Sequence, residues 1–145
     1  MASELKVDKF TGVTTAGSIL VTGEGNSTTT NLQQGLCKAW VNLNGTGTVA
    51  INSSFNTSGI TDEGTGHYSH SFTNNFADAD YVGSGSAMFS TSSNLHTITI
   101  GDNSGAAGTV PTSSSYELRT PYIAIASVTP QDCTRITVGN IGDLA

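Results

Sequence analysis

Three histidines, His67, His70 and His96, are the side chains best suited to metal binding or acid–base work, because an imidazole changes charge near neutral pH. His67 and His70 stand three apart, a spacing that aligns side chains on a helix but sends them to opposite faces of a strand. Around them Tyr68, His70 and Phe72 alternate with His67, Ser69, Ser71 and Thr73, which is strand periodicity, so the two imidazoles do not converge on one ion. Glu24, Glu63 and Glu117 could assemble across chains into a carboxylate pair for glycan cleavage, yet nothing in their spacing sets the separation such a pair needs. Gly83-Ser84-Gly85-Ser86 departs from the nucleophile elbow of serine hydrolases. Asp78-Ala79-Asp80 and Asp102-Asn103 supply hard oxygen ligands without completing an EF-hand-type loop, and read as turn formers. The Gly-x-Gly pairs at Gly45, Gly64 and Gly83 lack the third glycine and following helix of a phosphate loop, and also read as turns. The expectation is a protein that is not an enzyme, with no catalytic, cofactor-binding or metal-binding residues.

The elements that hold these residues are strands. From Leu36, Cys37, Ala39, Val41 and Leu43 alternate with Lys38, Trp40 and Asn42; a turn at Asn44-Gly45-Thr46-Gly47 follows, and Thr48 to Phe55 resumes with Val49, Ile51 and Phe55 on one face. Trp40, opposite Val41, is expected as a core or interface ring. Further strands are expected from Ile60, then over His67 to Thr73, Tyr81 to Phe89, His96 to Gly101, Ser115 to Val128 and Thr134 to Ile141. The penultimate one is bent, with Pro121 at an edge, bulge or break. Seven or eight strands joined by Gly- and Asn-rich turns predict an all-β chain, a jelly-roll-like β-sandwich head over residues 36–145. Residues 1–35, with one apolar island at Ile19, Leu20 and Val21, predict an extended N-terminal arm or stem, with a short helical turn over Asn31 to Gly35.

Composition narrows the partners. Five Lys and Arg against 11 Asp and Glu give a net charge of −6, and the cations are scattered, which argues against nucleic acid as a ligand. No apolar run is long enough to cross a membrane, and the N-terminus does not read as a signal peptide, so a soluble protein made in a cytoplasm is expected. Cys37 and Cys133 lie in no metal-binding spacing and are expected as buried apolar residues. Hydrophobic residues reach only 36%, so association between copies is the expected way to supplement a modest core.

Lys38-Ala39-Trp40-Val41-Asn42-Leu43-Asn44-Gly45-Thr46-Gly47-Thr48-Val49-Ala50-Ile51, followed by Ser54-Phe55-Asn56, resembles a domain of tail-fibre-like virion structural proteins of marine bacteriophages, cyanophages and related marine podophages among them. The resemblance continues through Ser58-Gly59-Ile60-Thr61-Asp62-Glu63-Gly64-Thr65-Gly66-His67-Tyr68 and Ala77-Asp78-Ala79-Asp80-Tyr81, and includes the leading Leu5-Lys6-Val7 and the closing strand from Arg135. It is weakest over about Val82 to Ser115. Cys37 and Leu43 stand where Ala and Phe are expected. The resemblance implies a virion component assembled in the bacterial host: a tail-fibre-like adhesin mediating host attachment, or alternatively a capsid decoration or head fibre protein. The alternative stays open because the chain is short for a whole tail fibre. A polysaccharide depolymerase tip is the third reading. Implied partners are two further copies in a homotrimer, other virion proteins through the arm, and a host-surface glycan or protein, with Tyr81 or Tyr116 as candidate stacking platforms for sugar.

Overall fold

The structure, a computed structural model, describes residues 4–12, 19–23, 28–89, 95–101, 110–124 and 127–145. The chain divides into two compact units, Met1–Leu36 and Cys37–Ala145. In the first, β1 (Leu20–Thr22) pairs antiparallel with β2 (Thr29–Asn31), and the single helical turn α1 (Leu32–Gly35) follows. The Ile19–Val21 island therefore supports a small hairpin here, where a plain extended segment was expected.

The second unit is built from two four-stranded antiparallel sheets, the arrangement of a β-sandwich. Its strands are β3 (Cys37–Asn44), β4 (Ala50–Phe55), β5 (Thr57–Gly64), β6 (His67–Phe72), β7 (Val82–Met88), β8 (Leu95–His96), β9 (Thr99–Ile100), β10 (Ser115–Arg119), β11 (Pro121–Ala124), β12 (Ser127–Pro130) and β13 (Arg135–Ile141). One sheet runs β4-β3-β13-β7 and the other β5-β6-β10-β9; a third, smaller sheet runs β12-β11-β8. The expected long strand from Ser115 is thus three strands in two sheets. Pro121, which has no N–H to give a ladder, opens β11 at the break. The segment from His96 likewise divides between β8 and β9, which belong to different sheets.

The core follows from the alternation. Ala39, Val41 and Leu43 of β3 and Ile136 and Val138 of β13 are fully buried, and they face Tyr68 and Phe72 of β6 and Tyr116 and Leu118 of β10. Small aliphatics on one sheet thereby accept large rings from the other, which is how two pleated faces fill without voids. At one end Phe72, Phe76, Tyr81 and Tyr116 cluster with centroid separations of 4.5 to 6.1 Å, the edge-to-face and tilted range that aromatic pairs favour.

Both flanks of the sandwich are closed by particular residues. On one, β4 passes from its sheet into β5 of the other through Asn56 alone, in the left-handed region at φ 54°. Asparagine tolerates that conformation, and here its side chain is tied to Asn74: Oδ1 accepts the Asn74 N–H at 2.7 Å and Nδ2 donates to the Asn74 carbonyl at 3.0 Å. On the other flank, Gly83 and Gly85 let β7 approach Ile98 and the β9 residue Ile100. A Cβ on Gly83 would collide with Ile100, and one on Gly85 with Ile98 and the Thr137 carbonyl. Gly83 is therefore a strand residue rather than the turn expected from its Gly-x-Gly spacing. A bulge between Asn42 and Leu43 corrects a second detail: Ile51 registers with Leu43 and Phe55 with Trp40, so they lie on opposite faces and not on one.

Candidate functional site

The histidine with the strongest environment is His70. It is fully buried at the centre of β6, and both ring nitrogens are engaged: Nδ1 lies 2.8 Å from the Tyr116 hydroxyl and Nε2 2.9 Å from Thr57 Oγ1. Asn140 Nδ2 donates to the Tyr116 oxygen at 3.4 Å, so that hydroxyl turns its own hydrogen to Nδ1. The proton of a neutral imidazole then sits on Nε2 and is donated to Thr57, which passes its hydrogen to the Trp40 carbonyl at 3.3 Å. The chain of bonds starts on β13, crosses to β10, β6 and β5, and returns to β3, stitching one sheet to the other at both ends. Burial pulls the His70 pKa down to about 4, which keeps the ring neutral, and burial likewise pushes the Tyr116 phenol up. Among the described residues no donor faces the buried Asn140 Oδ1, an acceptor that the chain of bonds leaves unsatisfied at a cost.

His67 points to the opposite face of β6, as the alternation predicts, and its Nε2 meets Glu117 Oε2 at 2.9 Å. Next to it Ser69 donates to Glu63 Oε1 at 2.8 Å, and Ser69 registers with Glu117. The structure therefore brings Glu63 and Glu117 to one outer sheet face on either side of Ser69, while Glu24 lies outside the described residues. Glycoside hydrolysis needs carboxyls opposed across a sugar ring; these two stand on one flat surface, each held by a neighbour. Among the described residues no three of His, Cys, Asp and Glu gather closely enough to hold a metal ion. Asp80 donates its N–H to Asp78 Oδ1 at 2.9 Å, the turn expected of that pair, and Asp102 and Asn103 lie outside the described residues.

At the far end of the sandwich the segment Gln131–Cys133 is clamped. Thr120 Oγ1 donates to the Gln131 carbonyl at 2.6 Å, Gly66 N–H to Asp132 Oδ1 at 2.7 Å, and Gly45 N–H to the Cys133 carbonyl at 2.9 Å. The Tyr68 hydroxyl donates to Asp132 at 3.0 Å; burial first, and then that carboxylate, hold the phenol above its usual range. Cys133 Sγ lies 3.7 Å from His96 Nδ1, a pairing seen in thiol enzymes, but burial pushes this thiol up, away from the thiolate a nucleophile requires.

Three expectations from the sequence are corrected. Tyr116 is only 2% exposed and Tyr81 belongs to the aromatic cluster, its phenol pushed by burial up to about 12, so neither is a platform for sugar. Among the described residues of the second unit the exposed rings are Trp40, 36% exposed, and Phe55, 52% exposed, directly paired across β3 and β4. Period-two reading places Trp40 opposite Val41 but gives no sign of whether that face is covered. Cys37 is exposed where burial was expected, whereas Cys133 is buried, and both are free thiols. A thiol-reactive reagent is accordingly expected to label Cys37 in the native protein and Cys133 only after unfolding; equal native labelling of both would contradict this packing. No described helix is long and apolar enough to cross a membrane. A scan against models of protein families, a search of curated proteins and a search of solved structures each return no match.

Proposed function

We propose that this chain is a structural protein of a bacteriophage virion, a tail-fibre-like adhesin or fibre component that holds the particle to its host surface without covalent chemistry. In this reading residues 1–35 are the stem that joins other virion proteins, residues 36–145 form a jelly-roll-like head, and three copies associate. The observation that carries it is the use of the polar groups. His70, Tyr116, Asp132 and Cys133, all capable of acid–base or nucleophilic chemistry, are spent on joining strands, His67 and Glu117 on the outer face are tied to each other, and an uncharged aromatic pair faces outward. Such an arrangement suits a durable, multivalent part whose contacts are made by surfaces. The resemblance of Lys38–Ile51 and the following segments to marine phage fibre-like proteins supports the same reading.

An antibody raised against the chain is expected to decorate intact phage particles in electron micrographs, and the purified protein to compete with particles for adsorption to host cells. Labelling confined to the head would replace the fibre reading by a decoration protein. Particles that carry no label would end the virion reading.

A further inference from the structure

The two outer faces of the sandwich differ in character. That of β5-β6-β10-β9 is polar and carries Glu63 and Glu117, each bonded to a neighbour. That of β4-β3-β13-β7 is uncharged over most of its area: no Asp or Glu stands in any of its four strands, and one row across it is Ser53, Asn42, Thr137 and Ser86. By register, Phe55, Trp40 and Gly139 lie in one row across it, and Ile141 and Val82 form the next pair. Ile141 is 45% and Val82 66% exposed, and the exposed Cys37 places its Sγ over Gly139, where a Cβ would touch it at 3.4 Å. At the opposite end of β13 the exposed Arg135 pairs with the exposed Met88.

We infer that this face is the surface on which copies of the chain associate, and that its occupant is a second copy. Charge favours that occupant. The net charge is −6, so two copies repel wherever their carboxylates meet; the strands of this face hold none and offer the basic Arg135 instead, with Asp80 and Asp143 only beyond its strand ends. It carries Trp40, Phe55, Met88 and Arg135, residue types enriched at interfaces, beside a row of uncharged Ser, Asn and Thr, and its strands lack the acidic residues that interfaces exclude. Its extent also fits. Four strands at about 4.8 Å spacing and seven residues at about 3.3 Å each give roughly 440 Å² in projection. That is about half of the ~800 Å² that each partner gives a standard interface, the size of a weak, concentration-dependent contact. Val82, Ile141, Trp40 and Phe55 would form the apolar end of the contact, with Ser84 and Asn42 beside them.

Trp40 is the only tryptophan, so its emission reports on this face directly. As concentration rises, the sedimenting mass is expected to at least double, Trp40 emission to shift to the blue, and labelling of Cys37 to slow, all over one concentration range. The double variant Val82→Glu and Ile141→Glu, at positions already exposed, is expected to stay monomeric with an unchanged circular dichroism spectrum. Thr61→Glu, on the other sheet, is expected to associate as the parent does. A parent protein that remains monomeric to about 100 µM, a concentration that detects weak affinities, overturns the proposal, whether or not Trp40 responds to added dextran. Association that survives the double variant overturns it too. This surface deepens the oligomeric part of the proposed function, and solution mass tests it apart from particle labelling: a monomer removes the interface and the trimer, whereas unlabelled particles remove the virion role.

Discussion

His70→Ala is expected to lower the unfolding free energy by about 4 kcal/mol, the largest loss from any single polar residue of the core. Two effects add. Truncating a buried ring to a methyl group leaves a cavity, and aromatic-to-alanine changes in cores cost about 3–5 kcal/mol. The Tyr116 hydroxyl and Thr57 Oγ1 also lose the partner that lies between them, at about 1–3 kcal/mol for each group left unsatisfied. The smaller size of imidazole and the freedom of both hydroxyls to turn toward Asn140 and the Trp40 carbonyl moderate the total. Against the ~5–15 kcal/mol that holds a typical domain together, the variant should unfold at a visibly lower urea concentration.

The same residue sets an acid response. In the fold burial holds its pKa at about 4, whereas an unfolded chain leaves it near 6.5. Below pH 6.5 the unfolded state takes up a proton that the folded state refuses. The contribution is therefore complete above that pH, declines as pH falls, and levels off below about 4. The two values differ by enough to make this loss about 3 kcal/mol. His70→Gln keeps an acceptor for Tyr116 and a donor for Thr57 but cannot titrate. Urea titrations between pH 7.5 and 4 should show the parent losing stability that the glutamine variant retains. Identical slopes for the two proteins would remove His70 as the cause.

What was readable beforehand divides along physical lines. The period-two segments at Cys37–Asn44 and His67–Phe72 gave strands, faces and much of the core, because alternation is a local consequence of the pleat. The separation of His67 from His70 followed from the same rule. Two bonds depended on contacts far apart in sequence. The bonding of His70 to Tyr116 spans 46 residues, and the clamp of Asp132 on Tyr68 spans 64, so neither leaves a local spacing to detect. The bulge at Asn42/Leu43 inverted one face of β4 through a single extra residue, which a periodic pattern cannot register. Whether Trp40 or Tyr116 is the outward ring was equally hidden: both sit in alternating strands, and only the pairing of sheets decides which face is covered.

Gly66→Ala is expected to be the other strongly destabilising change, by about 3 kcal/mol or more, although it adds only one methyl group. Gly66 closes the β5–β6 turn at φ 62°, where a side chain costs roughly 1–2 kcal/mol by itself. A Cβ there would also stand 2.6 Å from the Gln131 backbone nitrogen and 2.9 Å from its carbonyl oxygen, and backbone atoms cannot rotate away as a side chain could. Relief requires moving Gln131, which carries its neighbours with it: the Gln131 carbonyl accepts from Thr120, and Asp132 holds both the Gly66 N–H and the Tyr68 hydroxyl. Gly47→Ala makes the informative comparison. Its φ of 67° is nearly the same, but a Cβ there meets nothing within 4 Å, so it should show the conformational cost alone. Thermal or urea unfolding of the two variants thus separates strain from collision. Equal losses would mean that the clamp on Gln131–Cys133 contributes little, whereas a clearly larger loss at Gly66 would make the approach of that segment to the β5–β6 turn a determinant of the fold.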